Sequence, residues 1–194
     1  MNKILLKNTI KLTIGGVALG LLHRYDLVIA LLLVLKIIHS FYKSIKNQTF
    51  SILMVIGFII TALIGCTCEY YGTKLGYWEY HDVAHKMPHW LFFAWGAAFI
   101  LIYQIEIQIK KQVFNLSEQR KKYMILFMAA FFPTLGEMIA INLGTWTYYM
   151  PYKIFGVPLA AIFALVIIHT SVNAILKLIS KKFKIKDFVF NPSL

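Results

Sequence analysis

Charge is scarce in this sequence. Asp, Glu, Lys and Arg make up 14% of its 194 residues, where a soluble domain carries about 25%. Acidic groups are scarcer still, with 8 Asp and Glu against 20 Lys and Arg. The two cysteines, Cys66 and Cys68, stand in "CTC". Two positions apart on a helix they point in different directions, so a disulfide between them would be strained. They are expected to pack as small apolar residues. No phosphate-binding loop, nucleophile elbow or Cys-rich metal motif occurs. The sequence therefore calls for no cofactor and no resident metal.

Apolar residues fill the space that charge leaves, at 59% of the chain. They lie in blocks rather than stripes. Residues 52–66, "ILMVIGFIITALIGC", and 155–168, "FGVPLAAIFALVII", contain no charged residue. A helix apolar on every face belongs in lipid or in a large core, and a chain this short cannot bury several such helices. Six segments can be drawn, at about 4–22, 26–42, 50–71, 89–108, 123–143 and 156–177. Each approaches the ~20 residues that cross ~30 Å of hydrocarbon. The first, with Lys7, Asn8 and Lys11, competes with a signal-peptide reading. Its small-x-small cleavage pattern is not clean, so a retained helix is expected. The fold class predicted is all-α: a polytopic membrane helix bundle of six transmembrane helices, forming a single domain over 1–194.

The net charge of +12 points first to nucleic acid, but the basic residues sit between apolar blocks, where orientation in a bilayer requires them. No nucleic-acid partner is expected. Fifteen Lys and Arg fall at one side of the six segments and four at the other, with Lys36 inside a span. The bias predicts a multi-pass protein of a cell inner membrane with both termini cytoplasmic.

Two stretches repeat. "EYYGTKLGYWEY" (69–80) and "EMIAINLGTWTY" (137–148) both read E-x₅-L-G-x-W-x-Y. They end segments that run in the same direction, so the expected repeat is parallel, with two-helix units at about 50–108 and 123–177. Parallel units can pack about a pseudo-twofold axis along the membrane normal, which would bring Glu69 and Glu137 to one depth. Each Glu lies about six residues, or ~9 Å, below its helix end. An ionised carboxylate there is costly unless paired, hydrated or protonated. The expected state is a shared proton, or one neutral acid beside one anion. Gly65 and Pro133 stand four residues before the two acids; such helix weakeners hint at a cavity alongside. A plainer account remains open, in which the acids only bind the Trp and Tyr of their own loops at the interface.

Other polar groups are harder to place. His81, His85 and His89 recur every fourth position, a metal-like spacing that Pro88 interrupts; interfacial histidines are the alternative. His169 and Asn173 share a helix face and would line a cavity or hydrogen-bond a neighbouring helix. Glu106 and Lys110 read as a pair at a helix end. "NQT" (47–49) and "NLS" (115–117) fit the glycosylation pattern on the side assigned to the cytoplasm.

At the repeats the chain resembles bacterial carotenoid-modifying membrane proteins, the small lycopene cyclases and membrane carotenoid hydratases. The likeness rests on "EYYGTKLGYWEY" and on "GTWTYYMPYKIFGVPL", and covers about residues 65–168. The cyclases typically follow their Pro with paired acids; here His89-Trp90 follows Pro88 and Leu159-Ala160 follows Pro158. The resemblance implies that Glu69 and Glu137 are catalytic, acting on an apolar lipid-like substrate drawn from the membrane lipid. Hydrating or cyclising a polyene begins with protonation of a double bond, which needs an acid that keeps its proton in an apolar site. The π-faces of Trp78, Tyr80, Trp146 and Tyr148 would then stabilise a carbocation, with His169 and Asn173 as further candidates to contact substrate. Three functions stay open: an enzyme of this kind, a small proton-coupled transporter, and a non-catalytic subunit of a membrane complex. So does assembly with itself or with another chain.

Overall fold

A computed structural model describes residues 2–112 and 116–191. Asn115 of the second glycosylation-like triplet lies outside them. Six helices follow in order: α1 (Asn2–Leu22), α2 (Asp26–Lys46), α3 (Ile52–Lys74), α4 (Leu91–Gln112), α5 (Glu118–Asn142) and α6 (Leu159–Lys182). Each is long and apolar enough to cross a bilayer. The chain is an integral membrane protein, an all-α bundle as its apolar blocks predict.

The helix boundaries have local causes. Ser51 and Ser117 cap α3 and α5, accepting from the backbone N–H of Leu53 and Arg120. The second cap starts α5 five residues before the apolar block, so that the charged "EQRKK" is its first turn. Pro133 does not end α5, which continues through it. Asp26, the first residue of α2, accepts from the backbone N–H of His89 and Trp90 at 3.2 Å each. It thus satisfies donors left over at the start of α4 and ties the two helix starts together.

The α3–α4 interface is the tightest in the bundle, and glycines make it so. A Cβ on Gly57 would stand 2.1 Å from the Phe99 ring, and one on Gly96 would stand 2.1 Å from Phe58. Aromatic rings of each helix fill the notches of the other, the small-residue packing usual between helices in lipid. Leu53, Met54, Phe99, Tyr103, Val172 and Leu176 form a core shared by α3, α4 and α6. Beneath it the segment after α6 folds back: Asp187 accepts from the Tyr103 hydroxyl at 2.6 Å, and Lys110 donates to the carbonyl of Val189. α1 packs mainly on α5 and α2 mainly on α4, while α1 and α2 touch each other little. Few contacts close the gap between those two helices, which the Lys36 side chain crosses to Gly15.

Four short strands lie at the opposite end from the termini. β1 (Trp78–Tyr80) pairs antiparallel with β2 (Trp146–Tyr148). β3 (Lys153–Ile154) and β4 (Val157–Pro158) make a hairpin. Its two turn residues, Phe155 and Gly156, both have positive φ, as a tight type I′ turn requires. Between β1 and α4, Asp82 accepts from His23 Nε2 at 3.3 Å and Arg24 Nε at 3.0 Å, so the long loop is clasped to the α1–α2 turn.

These bonds from His23 and Arg24 hold the exposed Asp82 carboxyl below the usual carboxylate range. A depressed carboxyl contributes stability that is present above its unfolded pKa and lost as pH falls through the folded value. Protection of the amides of residues 81–90 against hydrogen exchange, taken relative to the intrinsic rate at each pH, is therefore expected to fall on acidification below the ordinary carboxylate range. In Asp82→Asn that protection should already be low at neutral pH and change little with acid.

Candidate functional site

The two copies of the signature fold alike and meet. Each helix closes with the same pair of backbone bonds, Leu75 N to Tyr71 O and Tyr77 N to Gly72 O in one, Leu143 N to Ile139 O and Thr145 N to Ala140 O in the other. Gly76 and Gly144 then turn the chain at φ of 73° and 85°, a conformation that disfavours any side chain. The strands that follow pair Trp78 with Tyr148, Glu79 with Thr147 and Tyr80 with Trp146. Exchanging the two signatures maps this register onto itself, with Glu79 and Thr147 at its centre. The flanking bonds from His81 N to Thr145 O and from Tyr149 N to Tyr77 O exchange in the same way.

Below the paired strands lies a cavity of about 250 Å³. Glu69 and Glu137 both line it, together with Tyr80, Trp146 and Tyr148 from the strands. Pro133 and Gly136 of α5 form part of its wall. The aromatic rings interlock as a roof: Trp78 and Tyr148 meet edge-on at 5.4 Å, and Tyr80 and Trp146 meet tilted at 5.6 Å, an arrangement that fixes ring orientation as well as burying area.

The two acids are held differently. Glu69 Oε2 accepts from Trp78 Nε1 and from the Tyr80 hydroxyl, both at 2.8 Å, and Oε1 accepts from Trp95 Nε1 at 3.1 Å. Among the described residues Glu137 accepts from the Tyr148 hydroxyl alone, at 3.1 Å on Oε2. The bonds expected of a plain loop tether are thus present, and the same two carboxyls also share a cavity. The asymmetry has two sources. Trp146, the counterpart of Trp78, does not reach Glu137 and turns to Tyr148 instead. Trp95 of α4 has the exposed Phe163 at the same offset in α6. Gly65 has a role beyond loosening α3, since a Cβ there would stand 2.2 Å from the Trp95 ring. The missing side chain is what lets that indole reach Glu69.

The remaining candidates lie elsewhere. Trp78 bonds Glu69 without forming part of the cavity wall. His169 and Asn173 of α6 face Glu106 of α4 instead: His169 Nε2 and Asn173 Nδ2 each lie 3.0 Å from Glu106 Oε1. Glu106 does not pair with Lys110, which reaches the C-terminal segment. This polar knot is nearly buried and joins the two helices beside a second small cavity, which His169 lines and which shares Trp95 and Pro133 with the first. Of the three loop histidines, His89 Nδ1 bonds Asp26 Oδ2 at 2.5 Å and His85 stands edge-on to His89. Among the described residues no group of three or more His, Cys, Asp or Glu side chains is placed to hold a metal. Both cysteines are free.

Trp90, Trp95, Lys11 and Lys36 also line the cavity, and their sequence positions gave them no site role. Lys36 was visible as a charge inside a span. Lys11 was counted with the basic terminus, yet its helix carries it up to the cavity wall. The chain matches no known family model, no curated protein and no solved structure.

The difference between the acids predicts different costs of removal. Glu69→Leu orphans three donors at a buried site and is expected to destabilise the protein by about 3 kcal/mol. Glu137→Leu orphans one hydroxyl and should cost about 1 kcal/mol. Unfolding of the two variants in mild detergent checks the order; equal losses would contradict the bonding described.

Proposed function

We propose that this protein is an enzyme that protonates a carbon–carbon double bond of an apolar, isoprenoid-like lipid, with Glu137 as the acid and Glu69 as its fixed partner. One observation carries the reading: two carboxyls from a duplicated signature open into one largely apolar cavity beneath a roof of Trp and Tyr rings. The resemblance to carotenoid cyclases and hydratases supports the same chemistry. The division of roles follows from acceptor occupancy. Three of the roughly four acceptor sites of Glu69 are taken by fixed donors, so little of that carboxyl is open to a substrate. Among the described residues no donor reaches Oε1 of Glu137.

In the step proposed, the Glu137 carboxyl gives its proton to one carbon of the double bond and becomes a carboxylate. The carbocation left on the other carbon lies among π-faces of Tyr80, Trp146 and Tyr148. It resolves by losing a neighbouring proton, by capture on a second double bond followed by proton loss, or by adding water and losing one of its protons. Each route returns a proton to Glu137, so isomerisation, cyclisation and hydration need no further reagent than water. The fixed indole and phenol groups keep their orientation through the step, which is how a preorganised site lowers a barrier.

The two-helix units at 50–108 and 123–177 serve, in this reading, to deliver two acids to one chamber. The gap between α1 and α2 gives a lipid a sideways entrance from the bilayer. The end rich in Lys and Arg faces the cytoplasm, with the strand roof outside.

Lipid extracts of cells expressing the protein should contain a product isomeric with a host polyene, or one water heavier, found by mass comparison. Glu137→Gln should abolish it while leaving yield and unfolding midpoint close to those of the parent. An unchanged product from the Glu69→Gln, Glu137→Gln double variant would sink the assignment.

A further inference from the structure

The lower half of the cavity poses a separate chemical question. Lys11 of α1 and Lys36 of α2 both line it. Lys36 lies ten residues from either end of α2 (Asp26–Lys46), or ~15 Å by helical rise, so its backbone is at mid-span. Its Nζ lies 3.4 Å from where a Cβ on Gly15 would stand. Gly15 is one helical turn from Lys11 on the same face, so the exposed Lys36 side chain crosses from α2 to α1 and ends near the exposed Lys11. Among the described residues neither has a carboxylate within ion-pair distance. The two cavity acids are turned to the roof and take their bonds from Trp and Tyr.

Unpaired ammonium groups inside a span are costly to keep, and they mark pathways and binding sites by default. A second feature points the same way. The buried indole N–H of Trp90, on a ring that also lines this cavity, has no acceptor among the described residues, although buried donors are nearly always satisfied. The chamber is therefore short of acceptor oxygens at both levels. Its ligand has to bring them.

We infer that the cavity binds an amphiphile whose anionic group, a phosphate or a carboxylate, sits between Lys11 and Lys36 while its apolar chain runs toward the aromatic roof. This rests on the reading of the cavity as a lipid site and adds the polar end of the substrate. The anion enters through the α1–α2 gap with its chain leading, and the lysines stop it below the acids. The charged end then sets which carbons of the chain lie beside Glu137, so chain length between head and double bond becomes the basis of selection.

Binding can be read from the fluorescence of the cavity tryptophans with the full chain in nanodiscs of neutral phosphatidylcholine. Dibromostearate, a carboxylate with a quenching chain, should quench saturably, and farnesyl phosphate should compete with it. Lys11→Gln with Lys36→Gln should weaken both by at least about tenfold, the loss expected of one charge-assisted bond. Lys11→Arg with Lys36→Arg should bind nearly as the parent does and controls for folding. Three outcomes would overturn the inference: quenching that does not saturate, equal quenching by the uncharged dibromo-octadecanol, or competition by inorganic phosphate as strong as by farnesyl phosphate. The last would mean a free anion site. Glu137→Gln should still bind. Saturable binding with no product from the parent would leave this inference standing and remove the acid chemistry; product without lysine-dependent binding would do the reverse.

Discussion

Three N–H and O–H donors converging on Glu69 hold the outer half of this bundle together. The carboxyl belongs to α3, Trp78 and Tyr80 belong to the strand that follows it, and Trp95 belongs to α4. One side chain thereby fixes where the chain goes after it leaves the helix and how closely the next helix returns. Because the site is buried, each of those donors would be expensive to leave unpaired. Gly65 is subordinate to this arrangement, since it clears the path for one of the two indoles. The β1–β2 register is built on the strand that Glu69 anchors, and the cavity owes its roof to that register.

Symmetry of backbone combined with asymmetry of bonding is the theme of the site. The two signatures turn alike and pair through a register that exchanges into itself, yet one acid is saturated with donors and the other holds a single phenol. Identical residues acquire different roles because the helices behind them differ: α4 contributes an indole where α6 presents a phenyl ring to the outside. Environment rather than residue type separates the paired carboxyls, as in many acid–base sites.

Much of the architecture was legible because apolar blocks about as long as a bilayer is thick admit few readings. The duplicated signature was legible too, by inspection of 69–80 against 137–148. The strand pairing was not, because three-residue strands lodged between helix ends are too short to show alternation. Trp95 could not be tied to Glu69 from its position, since that contact depends on how α3 and α4 pack. The same holds for Glu106: a neighbour four residues on along its own helix offered a local partner, and only the packing of α4 against α6 reveals His169 and Asn173. Lys11 was misplaced for a related reason, as a count of charges along the chain does not say which way a helix turns them.

The antiparallel seam between Trp78–Tyr80 and Trp146–Tyr148 carries a mechanical implication. Its hydrogen bonds and interlocked rings act in parallel, so lifting the lid would mean breaking several of them together, with the Asp82 clasp as well. Traffic perpendicular to the bilayer meets a locked ceiling, whereas the seam between the first two helices is held by few contacts. The molecule is held along its axis by many bonds acting together and at its flank by few.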